Sequence, residues 1–156
     1  PHIAIVGRVG RTEHFRNVRR HAVTTYDNLL LMRIDESLYF ANAAYLEQQV
    51  LTRVAADTRI KHFVLICNAV NLIDASALDT LEKLIESLRE MGITMHLAEI
   101  KGPVMDRLHR TDLLDKLLPG RVFLSTHEAV SELAAEALSP PPSATPATRR
   151  TLDPVT

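Results

Sequence analysis

The sequence predicts a mixed α/β fold built on one mainly parallel sheet, and three observations carry that prediction. Short apolar runs alternate with amphipathic helical segments, glycine or proline punctuates the joins, and the runs at 29–34 and 63–70 are apolar almost throughout. Strands alternating with helices imply right-handed crossovers and parallel pairing. Continuous apolar runs suit strands covered on both faces. About five strands and about four helices are expected from this alternation.

Residues 2–9 read as the first strand, broken by Gly7 and Gly10. Residues 11–20 are polar without a sustained period and read as an ordered loop. With a loop rather than a helix after it, the first strand is expected to pair antiparallel at a sheet edge. Residues 29–34 form the second strand. Asn42 is expected to cap the next helix, with Ala43, Leu46, Val50 and Val54 on one face. Residues 63–70 are the third strand and enclose Cys67, which as a lone cysteine reads as a small buried hydrophobe.

The helix over 76–91 is cleanly amphipathic, with Leu78, Leu81, Leu84, Ile85 and Leu88 inward. Its polar face includes Asp79 and Lys83, a favourable i,i+4 pair, and Gly92 is placed to end it. Residues 94–100 form a fourth strand. Pro103 suits a first helical turn with Val104 and Leu108 facing in, and Leu113, Leu114, Leu117 and Leu118 extend or restart that helix until Pro119 and Gly120. A short fifth strand over 122–124 precedes Ser125 and Glu128, spaced as a capping box for a last helix through Leu138. From 139 the composition turns to Pro, Ser, Ala, Thr and Arg. Residues 139–156 are therefore expected to be a disordered tail behind one folded unit, 1–138.

Composition narrows the function classes. The chain has 156 residues, is 46% hydrophobic and 24% charged, and carries a net charge of −1. It is long enough for a sizeable core, and it has no overall basic field of the kind that nucleic-acid binding uses. No apolar run approaches the roughly 18 residues of a membrane span. A start at Pro1, two residues before a strand, reads as a piece of a longer chain. One cysteine excludes an internal disulfide, and the seven histidines show no i,i+4 metal-ligand spacing. No metal or cofactor is expected. An arrangement of Ser76, His96 and Asp74 has neither nucleophile elbow nor oxyanion loop, so catalysis is not expected.

The most informative stretch is the junction before the 76–91 helix, over Asn71, Asp74, Ser76 and Ala77. Two readings stand side by side. Asp74 can cap the helix while Ser76 is an ordinary first-turn residue. Alternatively, Ser76 faces unpaired N–H groups and the positive end of the helix dipole as an anion-binding or phosphorylatable serine. Phosphate would add about −1.5 to −2 charges beside Asp74, enough to repel a partner held there. The cluster Arg16, Arg19 and Arg20 reads as a solvated loop, or as a contact for headgroups or an acidic partner.

This junction resembles the signature of STAS domains, found in anti-sigma-factor antagonists and in the cytoplasmic tails of SulP-type anion transporters. The antagonist signature is Asp-Ser-Ser-Gly with the second serine phosphorylated; Ser76 matches its place, while Ala75 and Ala77 depart from it. Those departures are typical of the transporter branch. Further echoes are the run from Arg33 through Tyr39, Phe40, Ala41 and Asn42, Gly7-Arg8-Val9, Phe15 to Val18, Ala98 to Val104, and Phe123 with Glu128 and Ala129. The resemblance spans 1–138 and implies a STAS-like sheet in the C-terminal cytoplasmic domain of a bacterial SulP transporter. It implies a regulatory and interaction role rather than the transport pathway, with sulfate, bicarbonate, chloride or a dicarboxylate as the transported anion. The implied partners are the transmembrane domain of the same chain, a cytosolic protein or purine nucleotide at the 71–78 loop, and a second copy within the transporter. The alternative is a free-standing anti-sigma-factor antagonist phosphorylated at Ser76. Phe40 is expected to serve only fold maintenance.

Overall fold

The computed structural model describes residues 3–8, 14–18 and 24–136. The elements run β1 (Ile3–Arg8), β2 (Phe15–Asn17), β3 (Leu29–Ile34), α1 (Phe40–Ala56), β4 (His62–Ile66), α2 (Ala75–Glu90), β5 (Thr94–Ala98), α3 (Gly102–His109), α4 (Leu113–Leu117), β6 (Val122–Phe123) and α5 (Thr126–Glu136). One sheet takes all six strands in the order β2-β1-β3-β4-β5-β6. From β3 to β6 every pairing is parallel, whereas β1 is antiparallel to both of its neighbours. The mixed, mainly parallel architecture is the one the sequence predicts.

Alternation along β3 shows how the sheet is covered. Leu30, Met32 and Ile34 join the core under α1, α2, α3 and α4, while Leu29 and Leu31 face the smaller core under α5. Both sides of the strand are thus apolar because both are covered. In α1 the residues Ala43, Leu46, Val50 and Val54 are buried, and in α2 so are Leu78, Leu81, Leu84, Ile85 and Leu88. The end of α2 is a Schellman motif. Ile93 N–H donates to the Leu88 carbonyl, Gly92 N–H donates to that of Arg89, and Gly92 takes φ +76°.

Several expectations are corrected. The 11–20 segment contains β2, which pairs with β1 and takes the edge position expected of β1. Three residues with one apolar side chain give no period to read. The third strand stops at Ile66; Cys67 to Val70 form a turn closed by Val70 N–H on the Cys67 carbonyl, and Val70 is apolar because it plugs the core from that turn. Asn42 is not the cap of α1. Tyr39 holds that place, and Asn42, three residues on, accepts the Tyr39 N–H at 2.7 Å. The restarted helix, α4, ends at Leu117, and Leu118 is its C-cap and 62% exposed. The polar face of α2 pairs Glu82 with Lys116 on α4 and Glu86 with Arg89, in place of Asp79 with Lys83. The tail at 139–156, Gly10, Arg19 and Arg20 lie outside the described residues.

Candidate interaction site

The 71–77 segment ends the connection from β4 and enters the first turn of α2, and its backbone is tied down on both sides. The Ser37 hydroxyl accepts the N–H groups of Asn71 and Leu72 at 3.1 Å each. Leu38 bridges Ile73 in parallel, its N–H donating to the Leu72 carbonyl and its carbonyl accepting from Asp74. Across the segment, Arg107 on α3 donates to the Ile73 carbonyl at 2.8 Å, and Lys101 donates to the Asn71 side chain at 2.7 Å. A loop with this many fixed backbone groups presents its side chains in a defined array.

Asp74 is the N-cap of α2, its carboxylate accepting the Ala77 N–H at 2.8 Å. Ser76 follows on the first turn and is exposed; its carbonyl accepts the Thr80 hydroxyl. Ala77 is wholly buried, so it serves this segment through its backbone and its packing. Replacing Asp74 with alanine is expected to lower stability by about 1 kcal/mol, because the Ala77 N–H loses its acceptor. A chemical denaturation midpoint that does not move would contradict that role.

What sequence reasoning missed is the apolar surround. Phe40 is 67% exposed, Tyr39 48% and Leu72 44%. The Leu38–Ile73 bridge places Tyr39 and Leu72 on adjoining backbone, so Phe40 does not maintain the core as expected. The available signal was that Tyr39 and Phe40 precede the apolar period of α1, which begins at Ala43.

His96 sits elsewhere. On β5 it alternates with Met95 and Leu97, which belong to the core under α2, so it points to the α5 face, away from Asp74 and Ser76. It is hydrogen-bonded there to His62 and to the Arg121 N–H. Cys67 is buried, and burial, with the Glu99 charge adding, pushes its thiol up to about 12. It is therefore protonated and unreactive at neutral pH. Among the described residues no group of three histidine, cysteine or acidic side chains is placed to hold a metal, and no helix is long and apolar enough to cross a membrane.

Fold and site together define a single-sheet α/β domain that presents an acid-capped helix start, a tethered loop and exposed aromatic side chains on one surface. The STAS domain family model matches residues 20–129. The chain belongs to the STAS domain family. It is 29% identical over 140 residues to sulfate transporter 1.3 of Arabidopsis thaliana, a match covering 83% of this chain and 21% of the transporter. The chain thus spans about a fifth of the length of the curated relatives it matches. Among solved structures, the murine solute carrier 26 family member A9 anion transporter superposes with a TM-score of 0.74 at 20% identity, over 85% of this chain and 22% of that one. A Thermotoga maritima protein described as an anti-sigma factor antagonist superposes with a TM-score of 0.60 at 19% identity, over 70% of this chain and 91% of its own.

Proposed function

We propose that the chain is the cytoplasmic regulatory and interaction domain of a SulP-type anion transporter in a bacterial inner membrane, lying outside the transport pathway. Sequence similarity to sulfate transporters over most of the chain supports the transporter context. The observation that carries the interaction role is the exposure of Phe40, Tyr39 and Leu72 around the 71–77 loop. Aromatic side chains kept in water have a large gain in reserve when a partner covers them, and such residues dominate binding energy at interfaces. The partner in this reading is first the transmembrane domain of the same chain. Asn71, Asp74 and Ser76 supply the polar rim.

The test is a double substitution, Phe40→Ser with Leu72→Ser. Because both side chains are exposed, stability is expected to stay within about 0.5 kcal/mol of the parent. Association with the transmembrane domain is expected to weaken about tenfold or more. Unchanged association and unchanged transport in the full protein would remove the assignment. Ser76→Glu is expected to leave the fold intact, since a negative charge on the first turn of α2 is favoured by the helix dipole by about 0.3–1 kcal/mol. Any loss of docking in that variant therefore reports on the surface.

A second reading, an antagonist of an anti-sigma factor switched by phosphorylation, draws on the exposed position of Ser76 and the likeness of fold to the Thermotoga protein. Incubation with a cognate kinase separates the two: phosphate incorporated into the parent chain and absent from Ser76→Ala favours the antagonist.

A further inference from the structure

The two edges of the sheet are built differently. On β2 the middle residue is the exposed Arg16, and a charge on an edge strand discourages pairing with another chain. The other edge, β6, carries Val122 and Phe123 and runs into Leu124, with no charge and no proline among the three. Leu124 is 90% exposed, more than any other large apolar side chain among the described residues. We propose that β6 is a dimerisation edge, pairing antiparallel with β6 of a second copy of this chain across a two-fold axis at Phe123.

The backbone sets the geometry. Leu97 N–H donates to the Arg121 carbonyl, and Glu99 N–H donates to that of Phe123. Those bonds turn the Arg121 and Phe123 carbonyls toward β5. Backbone groups of successive residues in an extended strand point to opposite sides. The N–H and carbonyl of Val122 and the N–H of Leu124 therefore face outward, where no strand pairs with β6 among the described residues. An open row of donors and acceptors is matched by another extended backbone.

Self-complementarity makes that backbone a second copy. With the axis at Phe123, Val122 stands opposite Leu124 of the second copy, and Leu124 stands opposite its Val122. The Leu124 N–H on each side then meets a Val122 carbonyl, as an isologous contact requires. By alternation Leu124 shares the face of Val122, which packs on the core under α2. Pairing therefore lays each exposed leucine beside a half-buried valine and removes both from water.

Charge does not oppose the arrangement. Arg121 falls opposite Ser125 of the second copy, so no like charges meet within the paired stretch. Its guanidinium is matched by Glu132 on α5 and lies 4.6 Å from the Phe123 ring centroid. The paired stretch is short, so the interface stands at the low end of the usual size range. A Kd of about 10–100 μM is expected.

The assignment concerns the domain alone and does not depend on the transporter reading. Sedimentation equilibrium of the 156-residue chain between about 10 μM and 1 mM tests it. The mass is expected to rise from monomer toward dimer. Over the same range amide exchange at Val122 and Leu124 is expected to slow. Leu124→Lys removes the apolar contact, and because the side chain is exposed the fold is kept; association is expected to weaken at least about tenfold. Leu118→Lys alters an exposed leucine outside the paired stretch and is expected to leave the dimer unchanged. A chain that stays monomeric at about 1 mM would overturn the proposal. So would equal weakening by the two substitutions, an unchanged dimer in Leu124→Lys, or amide protection appearing at residues 15–17 or 71–77 instead.

Discussion

Replacing Gly120 with alanine is expected to destabilise the domain by about 3 kcal/mol or more, at or beyond the upper end of ordinary overpacking. Gly120 is buried where the chain leaves α4 and passes under β5. A Cβ there would stand 1.8 Å from the Met95 carbonyl oxygen and 2.7 Å from that of Leu117. Both obstacles are backbone, so no side-chain rotation relieves the contact. The Leu117 carbonyl also accepts the Gly120 N–H at 2.7 Å, fixing the distance from the other side. The only relief is to push β6 away from β5, against the hydrogen bond from Leu97 N–H to the Arg121 carbonyl. For a folded unit of this size the thermal midpoint is expected to fall by roughly 10 °C. A calorimetric midpoint within 2–3 °C of the parent, at the roughly 2–4 °C per kcal/mol typical of larger domains, would show that β6 yields easily.

The same crossing holds the group whose titration matters most. His96 is 2% exposed. Its Nδ1 accepts the Arg121 backbone N–H at 3.0 Å, and its Nε2 faces His62 Nδ1 at 3.0 Å. The neutral ring satisfies this arrangement with its proton on Nε2. Adding a second proton places N–H against N–H at Arg121. Burial first, then the charges of His62 and Arg121, lower its pKa from 6.5 to about 4.

The unfolded chain therefore binds this proton more readily than the folded one between those two values. Stability is full above pH 6.5 and falls as the pH drops toward 4; below 4 this group takes nothing more away. The loss by pH 5 is expected to be about 2 kcal/mol. Urea denaturation of the parent and of His96→Gln at pH 7 and pH 5 checks it. The parent should lose that increment, and the variant, which cannot titrate at this position, should lose little of it. Equal pH sensitivity in both would assign the effect to other groups.

Periodicity made much of the fold legible. The inward positions of α1 and α2 follow from the apolar spacing at Ala43 to Val54 and Leu78 to Leu88, and Gly92 marks its own αL turn. Helix starts were less legible. Asn42 is a strong capping residue by type, yet the chain turns helical at Phe40 because Asn42 can reach back to the Tyr39 N–H from the third helical position. β2 left almost no trace, since a three-residue strand is specified by its hydrogen bonds to β1 rather than by a pattern of its own.

The two surfaces divide in the same way. Asn71, Asp74 and Ser76 were found from their order in the sequence, and Asp74 caps α2 as one of the two sequence readings allowed. Phe40 was misjudged because an aromatic residue in a strand-to-helix passage reads as core, and only the fold shows that it precedes the buried stripe. Arg33 sits on the α5 face by simple alternation with Leu29 and Leu31. Nothing in its neighbourhood along the chain indicates that Arg16 and the start of α5 come to it.

The sequence by itself determined the α/β class, the buried faces of the helices and the segment that carries the family signature, because each is written in local spacing. Tertiary structure decided which exposed side chains form a surface, where Gly120 passes beneath Met95, and which basic groups share a cavity. Those depend on strand order and crossover, which bring residues from 8 to 127 into contact and leave no periodic signal along the chain.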